Sequence, residues 1–180
     1  SGMASADSCM KLLRQGDHVV CCDDVYGGTA RLFNNLMTNY GVEFTYVDSQ
    51  VAENVQKAIR PETKMVWVET PTNPLLKVTD LEAVGKIARS NDLLYVVDTT
   101  FATPVFLRPL EYGADLVLHS TTKYLSGHNQ IIGGAIITDR DDLYDQLKYI
   151  QKSVGAVPSP FDCWLAVSYT HLRAHETVMN

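Results

Sequence analysis

Two periodicities alternate along this chain. Nearly continuous apolar runs at 18–22 (HVVCC), 43–47 (EFTYV), 64–69 (KMVWVE), 93–98 (LLYVVD) and 115–119 (DLVLH) read as buried strands. Between them, helical patterns cover 4–14, 29–40, 50–59 and 79–89. A further strand at 135–138 and a helix at 141–153 close the pattern. Strand and helix in alternation, each joined by a turn or polar loop, predict βαβ units: an α/β fold with a mostly parallel sheet and helices on both faces. Gly16-Asp17, Gly27-Gly28, Gly41 and Pro61 mark boundaries, and Pro71-Thr72-Asn73-Pro74 predicts a rigid loop that continues neither strand nor helix. The first strand of such a sheet normally precedes its first helix, whereas this chain opens on a helix, so a missing upstream segment is expected.

Composition narrows the function classes. The 180 residues carry 15 Lys and Arg against 21 Asp and Glu, a net charge of −6, and form no basic stripe that could displace counterions from nucleic acid. The most apolar stretches, 93–97 and 131–137, read as buried strands and fall far short of the roughly 20 residues a bilayer requires. Four cysteines (Cys9, Cys21, Cys22, Cys163) show neither zinc-finger nor Cys-x-x-Cys spacing and read as buried reduced thiols, with a cytoplasmic location expected.

In open parallel sheets ligands bind beyond the carboxyl ends of the strands. There the sequence places Asp23 to Gly28, Glu69 to Pro74, Asp98-Thr99-Thr100 and His119 to Tyr124, with Ser1-Gly2-Met3 opening a helix whose amides suit a phosphate. One edge thus gathers a carboxylate, an amide, hydroxyls, an aromatic ring and a lysine. These are the needs of pyridoxal 5′-phosphate: Lys123 for a Schiff base, Asp98 for the ring nitrogen, Tyr26 to pack on the ring, and Gly2, Met3, Ser120 and Thr122 for the phosphate. Dehydration and neighbouring positive charge would keep Lys123 nucleophilic. Each residue has a plainer reading: Lys123 as a solvated lysine, Asp98 as a helix N-cap, Tyr26 as a rim residue. Their convergence on one edge favours the site. A nucleotide- or effector-binding module is the rival, but neither Gly-x-Gly-x-x-Gly nor a phosphate-loop lysine follows any strand.

The stretch Ser120-Thr121-Thr122-Lys123-Tyr124-x-x-Gly127-His128 resembles the lysine signature of the Cys/Met-metabolism family of pyridoxal-phosphate enzymes. Asp23 to Thr29, Glu69 to Pro74, Val97 to Phe101 and Val154 to Cys163 are similar to its other motifs. The likeness runs from Ser1 to about Ala166 and is strongest to the cystathionine γ-lyase and γ-synthase branch. It implies the large domain of the aspartate aminotransferase-like (fold type I) transferases, truncated at both ends: a partial cofactor-binding domain over 1–166 and an unrelated tail over 167–180.

The resemblance also implies roles. Lys123 would bind the cofactor covalently and shuttle protons. Asp98 would pair with the pyridine nitrogen, Asn73 with the ring hydroxyl, and Thr100 would lie beside the ring. Tyr26 would stack on the ring and assist proton transfer, while Gly2, Met3, Ser120 and Thr122 would bind phosphate. The implied substrate is a small amino acid, and the implied reaction is γ-elimination on cystathionine giving cysteine, 2-oxobutanoate and ammonia. Replacement of an acylated homoserine's γ-substituent by cysteine, or an inactive fragment, are the alternatives. Family members are homotetramers with shared active sites. The family's upstream Tyr-x-Arg segment and its C-terminal small domain have no counterpart here. His171 and His175 stand at metal-binding spacing within the divergent tail, and no metal is expected.

Overall fold

The structure, a computed structural model, describes residues 1–167. All but the first residue of the expected tail, with His171 and His175, lies outside the described residues. Six strands form one sheet: β1 (His18–Cys22), β2 (Glu43–Val47), β3 (Thr63–Glu69), β4 (Leu94–Asp98), β5 (Leu116–His119) and β6 (Ala135–Ile137), in the order β2-β1-β3-β4-β5-β6. Every pairing is parallel except β5 with β6, which is antiparallel. Parallel register aligns the carboxyl ends, so that Trp67 lies beside Val96, and Glu69 beside Asp98, which in turn neighbours Leu118.

Helices cover both faces. On one side α1 (Gly2–Met10) and α6 (Asp141–Val154) bury Cys9, Met10, Leu143 and Leu147 against Cys21, Trp67 and Leu116. On the other, α3 (Ala52–Ala58) and α4 (Leu81–Ser90) bury Val55, Val84 and Ala88 against Val20, Val66 and Val97. Asp80 caps α4 by accepting a hydrogen bond from the Ala83 amide (3.0 Å), and Ser1 caps α1 in the same way through the Ala4 amide (3.1 Å). The Ser1 cap starts α1 two residues earlier than the apolar pattern suggests.

The expected helix over 29–40 is instead a succession of turns: α2 (Gly27–Arg31), a π-helical turn (Leu32–Leu36) and a 3₁₀ turn (Met37–Tyr40). Thr38 Oγ1 and Asn39 Nδ2 donate to the carbonyls of Asn34 and Asn35 (2.7 and 2.8 Å), offering the backbone partners that compete with a regular ladder. Leu32, Phe33 and Met37 are buried regardless, so the apolar face was read correctly and the helix type was not. Two short elements follow β4 that the periodicity does not announce, α5 (Thr103–Phe106) and a 3₁₀ turn (Pro109–Tyr112), both with proline in the first turn. The apolar run at 131–137 becomes a strand only from Ala135, and Ile132 is exposed. Cys9, Cys21 and Cys22 are buried free thiols, but Cys163 is exposed, contrary to the sequence reading. Among the described residues, no helix is long and apolar enough to cross a membrane.

Phe33 is fully buried, stacked on Phe44 (ring centroids 4.7 Å) and edge-on to Trp67 (5.2 Å). Phe33→Ala is expected to destabilise the fold by about 3–5 kcal/mol, measured as a fall in the urea midpoint.

Candidate active site

The strand order reverses direction between β1 and β3: the chain leaves β1 towards β2 and leaves β3 towards β4. Such a switch point opens a crevice at the carboxyl edge. A cavity of about 230 Å³ lies there. Gly2, Met3, Tyr26, Asn73, Asp98, Thr100, Ser120, Thr122 and Lys123 all line it, delivered by the first turn of α1, the end of β4 and the loops after β1, β3, β4 and β5.

Close approaches build its walls. A Cβ at Gly2 would stand 2.8 Å from the Ser120 Cβ, so only glycine lets the opening turn of α1 rest on the loop after β5. The free amides of a helix N-terminus and the Ser120 hydroxyl thus face the same space, a suitable setting for an anion. A Cβ at Gly28 would collide with Cε1 of Tyr26 (2.4 Å) and with Sδ of Met3 (2.8 Å), so Gly28 allows the Tyr26 ring to fold back over α2. Tyr26 remains 44% exposed, forming one rim of the cavity.

Asp98, at the end of β4, is 8% exposed. Its Oδ1 accepts from the amide (3.0 Å) and the hydroxyl (2.6 Å) of Thr100, whose Oγ1 in turn accepts from the Ser120 amide (2.8 Å). Burial raises the Asp98 pKa, and the two Thr100 bonds partly offset the rise. Its other oxygen, Oδ2, receives no hydrogen bond from the described residues, so a cationic N–H set against it would offset the burial. Thr122 is already engaged: its hydroxyl accepts from the Gly133 amide (3.0 Å) and donates to the Gly133 carbonyl (3.2 Å). Lys123 lies in a turn closed by its amide bonding the Ser120 carbonyl (3.2 Å). It is exposed, and no other lysine, arginine or histidine lines the cavity. The dehydrated, basic setting expected around Lys123 is thus not formed by the described residues that line the cavity.

Glu69 is the residue whose importance the sequence left unmarked. At the end of β3 and 5% exposed, it accepts the Tyr26 amide on Oε2 and the Asn73 amide on Oε1, both at 2.8 Å. Burial, then the charge of Asp98, push its pKa up to about 8, against the pull of the two amides. The signal in the sequence was a carboxylate ending a buried strand directly before Thr70-Pro71. Beyond Glu69 the loop is pinned outward: Asp24 accepts from Thr72 Oγ1 and from the Leu75 amide (2.9 Å), and Lys77 pairs with Asp23 (2.8 Å). Both Thr70–Pro71 and Asn73–Pro74 are cis. A second cleft, about 710 Å³, opens at the amino edge of the sheet, but its Arg140 is already paired with Asp115 and Asp142.

The donor set fits pyridoxal phosphate: an amine, a buried carboxylate with one oxygen held and one open, a ring at the rim, and a helix N-terminus beside a serine hydroxyl. Fold and site together define the large domain of an α/β pyridoxal-phosphate enzyme. A sequence profile of the Cys/Met metabolism PLP-dependent enzymes matches residues 1–172, and the chain belongs to that family. It is 51% identical over 167 residues to a probable cystathionine gamma-synthase from Herpetosiphon aurantiacus, covering 93% of this chain and 52% of that one. It is 45% identical over 181 residues to a cystathionine gamma-lyase from Dictyostelium discoideum, covering 98% and 47%. The crystal structure of cystathionine gamma-lyase from Lactobacillus plantarum complexed with L-serine superimposes with a TM-score of 0.91 at 42% identity, over 92% of this chain and 44% of that one. The chain therefore spans about half the length of the relatives it matches.

The Glu69 pKa generates a stability prediction. A carboxyl raised from 4.5 to about 8 keeps its proton in the folded state where the unfolded chain has lost it. Folding stability is thus unpenalised below 4.5 and declines as pH rises from there to about 8. Glu69→Gln removes this titration, so the variant should gain on the wild type by up to about 5 kcal/mol across that interval. Thermal or urea unfolding of both proteins at the two ends of the interval measures the gap.

Proposed function

We propose that this chain is the cofactor-binding part of a longer pyridoxal-phosphate enzyme that carries out γ-elimination on cystathionine, giving cysteine, 2-oxobutanoate and ammonia. The observation that carries the reading is the convergence of Lys123, Asp98 and seven further expected residues on one cavity. When bound, the cofactor supplies an electron sink for negative charge developing on the substrate carbons.

The protein's own groups do the remainder. Lys123 would hold the cofactor through its amine and, when free, would take the α-proton of the substrate. Asp98, steadied by Thr100 on Oδ1, would keep the ring nitrogen protonated. Gly2 and Met3 amides with Ser120 receive the phosphate, and Thr122 joins them by exchanging its Gly133 bond. Asn73 takes the ring hydroxyl. Tyr26 covers the ring face and is the candidate acid for the departing thiolate. Homotetrameric assembly with shared sites, and a cytoplasmic setting suited to the free thiols Cys9, Cys21 and Cys22, complete the proposal.

A second reading is γ-replacement, in which cysteine displaces the γ-substituent of an acylated homoserine. The 51% identity to a probable cystathionine gamma-synthase favours it. Supplying the longer protein with cystathionine alone, and separately with an acylated homoserine plus cysteine, separates the two. Release of 2-oxobutanoate from cystathionine supports elimination. Cystathionine formation without such release would reassign the reaction.

Two outcomes are expected at Lys123. Incubation with pyridoxal 5′-phosphate, borohydride reduction and mass spectrometry should place the label selectively on Lys123, and scattered labelling would count against the site. Lys123→Ala should lower turnover by at least about 10²–10⁴-fold, measured under saturating substrate.

A further inference from the structure

We propose that Glu69 is a positioning residue, a buried brace that holds Tyr26 and Asn73 in register on either side of the cavity. The inference deepens the cofactor reading and rests on it. β1 and β3 are neighbours in the sheet, yet their onward connections run in opposite directions, so nothing in the ladder fixes the loops after them relative to each other. Glu69 does so from beneath, one carboxylate oxygen to each loop: Oε2 to the Tyr26 amide and Oε1 to the Asn73 amide. Two amide donors facing one side chain require two acceptor oxygens and no donor, which an ionised carboxylate supplies and a glutamine does not. In a glutamine one of the two amides would meet an NH₂ group.

The surroundings make this an expensive place for charge. Asp98 faces Glu69 from β4, Asp24 and Tyr26 from the loop after β1, Cys21 and Cys22 from β1, and Lys123 lines the same cavity from the loop after β5. A residue serving the core alone would be better replaced by an uncharged one. The two amides favour ionised Glu69 while burial and Asp98 disfavour it, so as pH rises through about 8 the tethers should tighten locally even as the fold as a whole loses stability.

The test compares wild type, Glu69→Gln and Asp23→Asn in the longer protein. Asp23→Asn loosens only the outer Lys77 pair and serves as the control. Two quantities are read: amide hydrogen-exchange protection at Tyr26 and Asn73 without cofactor, and the dissociation constant for pyridoxal 5′-phosphate. Glu69→Gln should reduce protection at one or both amides by about tenfold and weaken the cofactor by about tenfold near pH 9, with the gap narrowing towards pH 6. Asp23→Asn should leave both close to wild type.

Wild-type protection against local opening at these two amides, corrected for intrinsic exchange, should itself rise between pH 6 and pH 9, a readout that needs no variant. Unchanged protection in Glu69→Gln, a flat wild-type profile, or loosened amides with unaltered cofactor affinity would each overturn the inference. Failure of the wild type to bind the cofactor would instead overturn the reading on which it rests, and the inference with it.

Discussion

Two carboxylates that would rather be in water sit side by side at the end of neighbouring strands, Glu69 opposite Asp98. Each raises the other's difficulty, and burial raises both. The remainder of the site can be understood as the means by which that pair is tolerated. Thr100 answers one oxygen of Asp98 with two hydrogen bonds, and backbone amides answer both oxygens of Glu69. What remains open is a single oxygen, Oδ2, directed at whatever the cavity receives. A sheet whose strands were staggered by one residue would turn one of the two carboxylates to the opposite face and lose the arrangement.

The sheet was legible because its strands are short apolar runs with no competing period, and because loops at their carboxyl ends carry the polar residues. All nine anticipated site residues do line one cavity, for the reason that parallel strands end on one edge. Legibility stopped where a residue's contribution depends on a partner distant in sequence. Glu69 reads as the last residue of a strand, and only the fold reveals the amides of Tyr26 and Asn73 converging on it. The segment from Thr29 to Tyr40 failed differently: its apolar spacing suited a helix, but Asn34, Asn35, Thr38 and Asn39 gave the backbone other partners. Lys123 was expected in a dry, basic setting, and it is exposed, with Glu69 and Asp98 as the other charged residues lining its cavity.

The similarity to both a γ-synthase and a γ-lyase at comparable identity has a physical counterpart in this half of the molecule. The groups described here would address what every reaction of the family shares: the ring and phosphate of the cofactor and the α-carbon of the substrate. Only Tyr26, proposed as the acid for the departing thiolate, would reach a γ-substituent. On the proposed reading, chemistry common to the family would lie in this segment, and the choice between eliminating and replacing would be made by contacts to the far end of the substrate.

The contact between Gly2 and Ser120 joins the first helical turn to the loop after the fifth strand. An anion seated there would be held at once by both, although nearly the whole sheet-forming sequence lies between them. The unfolded chain offers no such site, because its two halves are seldom near each other. Occupancy therefore draws on the folding equilibrium itself: at a ligand concentration a hundred times the dissociation constant, native protein gains about 2.7 kcal/mol by mass action alone. A phosphate cradle at this place would in that sense be a clasp on the fold, and the supply of cofactor in the surroundings would set how firmly it is shut.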